Sequence, residues 1–297
     1  NLAAMPVQFS KNVINFYPVT AAREMYEPFH KLKYSFASTY YDQIRLSLPK
    51  LAKEKDAKKI CTIYQDDEFG KNVHDGFTQA LADTKLTAVA TTSYKRGASD
   101  FSSQVAKMKA AGCDLVVLGT IIRETIGTIG ESRKTGFNPT FLGSSAAYTD
   151  LIHKLGGKPM DGLYAMMTVQ NPYLDEASQP IRFWANKYKT KFNDDPTVFS
   201  VYGYSVVDSF IQAARKAGPN LTTDSFTSPD PNVSQVDIGD YLSSNLVDVI
   251  GRIDGVGDVS VFGTSYAMRI WMDPARLEKF ALMPSDLINA LNAQNAQ

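Results

Sequence analysis

The sequence predicts an α/β fold, with parallel sheets covered on both faces by helices, followed by a small α+β segment at the C-terminal end. Three observations carry this. Lys58–Gly70 holds a short apolar run, Ile60, Cys61, Ile63 and Tyr64, which Asp66, Asp67 and Gly70 end. Lys71–Asp83 then carries Val73, Phe77, Ala80 and Leu81 at helical spacing, so a buried strand is followed by a turn and a helix packing back. The unit repeats, with strands at Leu86–Thr92, Cys113–Thr120 and Thr140–Ser144 and helices at Asp100–Ala111 and Glu124–Thr135. Strands alternating with helices of this length imply a parallel sheet. Such sheets bind ligands at the carboxyl ends of their strands, which directs attention to the turns Asp66–Gly70, Gly119–Glu124 and Gly143–Tyr148.

The flanking elements follow from local pattern. Asn1–Ser10 is apolar and weakly helical, and Asn12–Thr20 reads as a strand entering a turn at Pro18. Ala21–Lys31 reads as helical despite Pro28, and Leu32–Thr39 as a second strand. Tyr40–Lys55 is an amphipathic helix with Ile44, Leu48 and Leu51 on one face, and Pro49 within it implies a kink. Gly162–Thr168 is a further strand and Gln179–Phe192 a helix carrying Phe183, Trp184 and Tyr188. Val198–Ala217 is a long helix expected to turn Val206, Phe210, Ala213 and Ala214 inward, closed by Gly218-Pro219. Leu221–Gln235, rich in Thr, Ser, Asp, Pro and Asn, reads as linker, with a domain boundary near Thr227–Pro231. Beyond it the pattern is α-β-β-α. A helix spans Asp237–Arg252, and strands Val256–Phe262 and Tyr266–Met272 meet in a hairpin at Gly263-Thr264-Ser265. Helices at Ala275–Phe280 and Pro284–Asn292 complete it.

Composition narrows the function. The 297 residues contain 31 Lys+Arg and 31 Asp+Glu, a balance that points to neither nucleic acid nor an anionic membrane surface. No apolar run reaches the ~18 residues that a bilayer crossing needs. Position 1 is an asparagine, which reads as a processed or truncated start. Cys61 and Cys113 fall on neighbouring strands and read as buried small hydrophobes, with a disulfide as the other reading.

Few motifs carry chemistry. Asp66, Asp67 and Glu68 form an acid cluster without the histidines or spaced partner that metal or acid–base catalysis would need; acids at a helix N-terminus are the plainer account. His30, His74 and His153 share no ligand spacing, and Gly255-Val256-Gly257 precedes a strand instead of following one. No catalysis, cofactor or metal is therefore expected. Gly119–Arg123 and Ser144-Ser145 are better candidates. Gly119 admits a ligand to the backbone, Thr120, Ser144 and Ser145 offer hydroxyls, and Arg123 can pair bidentately with a carboxylate. Turn residues beside a solvated arginine would look the same. Phe69 is either an aromatic at a ligand-facing turn or a cap on the core.

At these residues the chain resembles a known family. The series YQDDEFGKNVHDGF, SDFSSQVAKMKAAGCDLVVLGT, ESRKTGFNPTFLGSS, DGLYAM and FWANKYKTKF…DPTVFSVYGYSVVDSFIQAARKAG stands in the order found in periplasmic solute-binding proteins of ABC importers. The branch is that of the leucine/isoleucine/valine-binding protein. The resemblance, over 12–226, implies two α/β lobes joined by hinge strands and closing on a ligand. Leu32–Thr39 would cross between lobes, 40–167 would form mainly the second lobe, and the flanks of 1–228 the first, lacking some of its strands. It also implies that Thr20 and Ala21, within Pro18–Ala22, hold a ligand carboxylate, and that Phe69 and Ile121 pack on the ligand. Ser145 stands where amino-acid-binding members carry an acid for the α-ammonium group, a departure that serves an amino acid poorly. Arg123 with Phe16, Tyr17, Tyr40 and Tyr41 instead suits an uncharged or aromatic organic acid. The implied partners are the small organic acid or amino acid and the importer's membrane subunits, in the periplasm.

The tail resembles a second family. GVGDV, FG-x-x-Y-x-MRIW, DP and NAQNAQ stand in the order of the periplasmic porter region of resistance-nodulation-division multidrug efflux transporters, over about 228–297. This segment, 229–297, implies a trimeric efflux assembly if the tail is the authentic part of the protein. No physical reason joins the two pieces, so a composite of the two is the further expectation.

Overall fold

A computed structural model describes residues 2–227, and the structural statements below concern these residues. The chain divides into two units, Asn1–Thr227 and Ser228–Gln297. The α-β-β-α expectations, from Asp237–Arg252 to Pro284–Asn292, lie outside the described residues.

The strands are β1 (Asn15–Phe16), β2 (Lys33–Tyr34), β3 (Lys59–Gln65), β4 (Thr87–Tyr94), β5 (Leu115–Gly119), β6 (Thr140–Gly143) and β7 (Leu163–Ala165). The helices are α1 (Met5–Ser10), α2 (Tyr40–Glu54), α3 (Glu68–Ala82), α4 (Ser102–Ala110), α5 (Ile122–Lys134), α6 (Leu151–Gly156), α7 (Gln179–Phe192), α8 (Val198–Ala217) and α9 (Thr223–Thr227). Strands β3–β7 form one parallel sheet in the order β4-β3-β5-β6-β7, and β1 pairs with β2, also parallel.

Side-chain alternation divides the core between two faces of the large sheet. Ile60, Leu115, Val117 and Leu142 point to one face, where Ile44 and Leu48 of α2 and Val73 and Phe77 of α3 meet them. Cys61, Ile63, Val116, Leu118 and Phe141 point to the other, against Val105 and Met108 of α4 and Ile129 of α5. Strand β5 is buried along its whole length, as a central strand covered on both sides must be. β4, at the edge, buries only alternate residues. Each fully buried aliphatic side chain contributes about 1.5–3 kcal/mol. Asp114 fixes the register where β3 enters the sheet, its carboxylate accepting the N–H of Lys58 at 2.8 Å and of Lys59 at 3.0 Å.

Several expectations are corrected. Ala21–Lys31 is not a helix: only Arg23–Met25 forms a 3-10 turn, because Pro28 has no N–H to donate and its ring blocks a continuing helix. The strands expected over 12–20 and 32–39 shrink to two paired residues each. Helix α6 and the short α9, inside the expected linker, carry too little periodicity to be read from sequence. α8 forms with the expected bounds, but its expected inward face is not buried: Phe210 is 42% exposed, and of the whole helix only Val198 is buried. Among the described residues, β1 and β2 form a sheet of only two short strands, and Phe210 meets the rings of Phe16 and Phe226. Cys61 and Cys113 are buried, but as a disulfide with Cα atoms 5.9 Å apart, not as two separate thiols.

Candidate functional site

From β3 the chain crosses outward to β4 and then returns past β3 to β5, so the connections leave neighbouring strands in opposite directions and open a crevice at their carboxyl ends. Gly119 ends β5 against β3 so closely that an added Cβ would lie 2.7 Å from Tyr64 Cβ. Ile121 is the N-cap of α5 and makes no side-chain cap hydrogen bond. The turn after β6 is held from within and from α2: Ser144 Oγ accepts the N–H of Ala146 at 3.3 Å, and Ser145 N–H donates to Gln43 Oε1 at 2.7 Å.

The turns after β5 and β6, but not the turn after β3, border a cavity of about 480 Å³. Of the residues singled out in the sequence, Thr20, Ala21, Ile121, Arg123 and Ser145 line it; Phe69, Thr120 and Ser144 do not. Thr120 is buried, its hydroxyl 2.6 Å from that of Thr125. Ser144 is buried beneath its own turn. Phe69 packs edge-on against Tyr40 with ring centroids 4.9 Å apart, and Tyr40 reaches the cavity in its place. Sequence reasoning missed Phe36, Phe199, Tyr202 and Glu124 in the wall. The first three come from segments whose pattern reads only as aromatic. Glu124 closes a turn already under suspicion, but an acid in a first helical turn is ordinary.

The electrostatics of the wall are uneven. Burial pushes the Tyr40 phenol above its ordinary range, while the backbone of Ala21 and the hydroxyl of Thr20 pull it back, so these three groups form one polar corner. Burial likewise raises Tyr202, against the lowering hydrogen bond with the Thr168 hydroxyl. Arg123 is largely in solvent, its side chain 82% exposed, with Nη2 3.9 Å from Glu124 Oε1. Glu124 itself is buried, and its Oε2 has no hydrogen-bond partner among the described residues.

The acid cluster has a structural role. Asp67 caps α3, accepting the N–H of Gly70 at 3.2 Å, and pairs with Arg96 at 3.0 Å, while Asp66 pairs with Lys95. Among the described residues no group of His, Cys, Asp or Glu is placed to hold a metal ion, and no helix is long and apolar enough to cross a membrane.

Comparison with known proteins gives this geometry a family. The family model described as periplasmic binding protein matches residues 2–237. The chain belongs to the periplasmic binding protein family. Solved members share the fold at low identity. A substrate-binding periplasmic protein from Ralstonia solanacearum is 22% identical, with a TM-score of 0.68 over 76% of this chain and 64% of its own. A branched-chain amino acid ABC transporter protein from Thermus thermophilus, solved with bound valine, is 17% identical, with a TM-score of 0.66 over 76% of this chain and 60% of its own. An ABC transporter solute-binding protein from R. palustris, solved with benzoate, is 14% identical, with a TM-score of 0.66 over 76% and 62%. The chain thus spans under two thirds of each of these members. A second family model, AcrB/AcrD/AcrF, matches residues 206–297. There the chain is 45% identical over 87 residues to the multidrug export protein AcrF of Escherichia coli, 29% of this chain and 8% of AcrF. It is 51% identical over 70 residues to the toluene efflux pump membrane transporter TtgB of Pseudomonas putida, 24% of this chain and 7% of TtgB. One chain therefore carries a periplasmic-binding-protein region and an efflux-transporter-like tail.

Proposed function

We propose that residues 1–228 act as a non-enzymatic periplasmic solute-binding unit that closes on a small organic acid, aromatic acids included, or an amino acid, and presents it to the membrane subunits of an ABC importer. One observation carries the reading: a cavity of about 480 Å³ at the carboxyl ends of β5 and β6, walled on another side by the loop that holds Thr20 and Ala21. Family membership and the valine and benzoate held by two relatives support it. In this reading Thr20 and Ala21 offer a hydroxyl and an N–H to a ligand carboxylate, and Arg123 at the rim attracts it. Ile121 packs on the ligand body and Ser145 adds a hydroxyl. Phe69, Thr120 and Ser144 support the wall from behind. The lobe boundaries near 40 and 167 set the hinge, and closure shifts the population toward a form that docks on the importer. Calorimetric titration of the chain with benzoate, phenylacetate, valine and leucine tests this; no binding by any of them removes solute binding as the function.

The match of residues 206–297 to the AcrB/AcrD/AcrF family favours a second reading. Here 229–297 is an efflux-porter piece whose natural setting is a trimeric assembly, and the chain is a composite of two proteins. Trypsin cuts after Lys216 and Arg252 and nowhere between, so peptide Ala217–Arg252 reports the junction. Its detection by mass spectrometry establishes one covalent chain; its absence, with both flanks present, means two separate molecules.

A further inference from the structure

The loop that carries Thr20 and Ala21 runs into the 3-10 turn Arg23–Met25, whose N-cap, Ala22, makes no side-chain cap hydrogen bond. The first N–H of a helical turn has no partner within the turn and needs an acceptor from elsewhere. Asn72 supplies it from α3: its Oδ1 accepts the Arg23 N–H at 2.7 Å. The amide nitrogen of the same side chain donates to Glu24 Oε2 at 3.1 Å and to the Glu68 carbonyl at 3.0 Å. Asn72 is buried, where a carboxamide is costly unless bonded, and two of its three partners here lie on the turn that follows the loop. Asparagine is also a poor helix former, so α3 itself gains little from it. A second contact lies beside the first. The Arg23 guanidinium sits over the ring of Tyr41, on α2, 4.6 Å from its centroid. Thus the turn after Thr20 and Ala21 is fastened to α2 and α3. With a lobe boundary near 40, these contacts join one lobe to the other and exist only while the lobes are together.

We propose that Asn72 is a positioning residue for the ligand: it latches the Thr20–Ala21 loop to α3 when the lobes close, and the opening of this latch sets how fast ligand leaves. The proposal rests on the solute-binding reading, with Thr20 and Ala21 as ligand contacts. Asn72 does not line the cavity, so it acts through the loop and not on the ligand. The latch combines one hydrogen bond between neutral groups with one to a carboxylate, so its loss predicts ligand release about tenfold faster or more. Association starts from the open form, in which the latch is unmade, and should stay nearly unchanged.

Titration calorimetry and stopped-flow fluorescence on the full chain test this, with benzoate, phenylacetate, valine and leucine as probes. For a probe that binds, Asn72→Ala should speed dissociation about tenfold or more while the association rate stays nearly constant. The urea midpoint of the ligand-free protein should not move, which separates a latch from a residue that only supports the fold. Unchanged release overturns the latch and leaves solute binding standing, as does a lower midpoint with release unaltered. Binding by no probe overturns both. Hydrogen exchange at the Arg23 N–H, read by NMR, tests the same point on the unaltered protein. It should slow on saturation with a probe that binds, because closure keeps the bond to Asn72 made. Exchange that the probe leaves unchanged overturns the latch even if Asn72→Ala does not fold.

Discussion

Gln43 Oε1 accepts the backbone N–H of Ser145 at 2.7 Å, joining helix α2 to the turn after β6 across 102 residues of chain. Its amide nitrogen donates to the Ser38 carbonyl at 2.6 Å, so one carboxamide, 2% exposed, holds two segments that border the cavity. Replacing it with Gln43→Leu keeps the volume and strands both partners. The loss should be about 1–3 kcal/mol for each buried group left unpaired, read as a lower urea midpoint. Ligand affinity should fall too, because the Ser145 turn loses its tether. A variant with unchanged midpoint and affinity would show that the bridge positions nothing.

The disulfide between Cys61 and Cys113 closes a loop with a sequence separation of 52. By the chain-entropy argument it stabilises the folded state by about 4 kcal/mol. The Cys61→Ala/Cys113→Ala protein should therefore unfold at clearly lower denaturant, and added reductant should bring the unaltered protein toward the same midpoint. Indifference of the midpoint to both would overturn this.

Gly70 donates to Asp67 in the cap of α3, and a Cβ there would lie 1.8 Å from the Gln65 carbonyl oxygen. Gly70→Ala must displace the backbone, at a cost above about 3 kcal/mol. Gly130 in α5 has nothing within 4 Å of such a Cβ. There Gly130→Ala should stabilise by about 1 kcal/mol. Thermal melts of the two variants should move in opposite directions; a shared direction would contradict the close approach at Gly70.

His74 lies against Tyr64, with ring centroids 4.6 Å apart, and burial holds its pKa below the ordinary 6.5 despite Asp75. The unfolded chain then takes up a proton that the folded state resists. Its stabilising contribution is full above about pH 6.5 and is lost as the pH falls from there through the folded value. Melting temperatures measured from pH 8 to 5 should fall on the acid side, and His74→Gln should flatten that slope. Equal slopes would reject this origin.

The βα series from Lys59 to Gly143 was legible because both of its signals are local: apolar strand runs and helical spacing of Val73, Phe77 and Ala80. The sites of turns were legible for the same reason, and five of the eight residues singled out meet at one cavity. What failed depended on distant partners. α8 shows helical periodicity but not what it packs against. Phe69 looks ligand-facing until Tyr40, from another element, covers it. Glu124 resembles any first-turn acid; only burial and the missing donor at Oε2 distinguish it. The pairing of Cys61 with Cys113 needed the β3–β5 register, which spacing alone does not provide.

The cross-link between β3 and the entry to β5 also governs how damage to this chain would be noticed. Lys95 and Arg96 lie in an exposed loop between the two cysteines. A tryptic nick after Arg96 leaves two pieces tied by sulfur, which migrate as one band on a denaturing gel run without thiol. Only the reduced lane separates them, so intactness judged from the oxidised lane would overlook cut molecules.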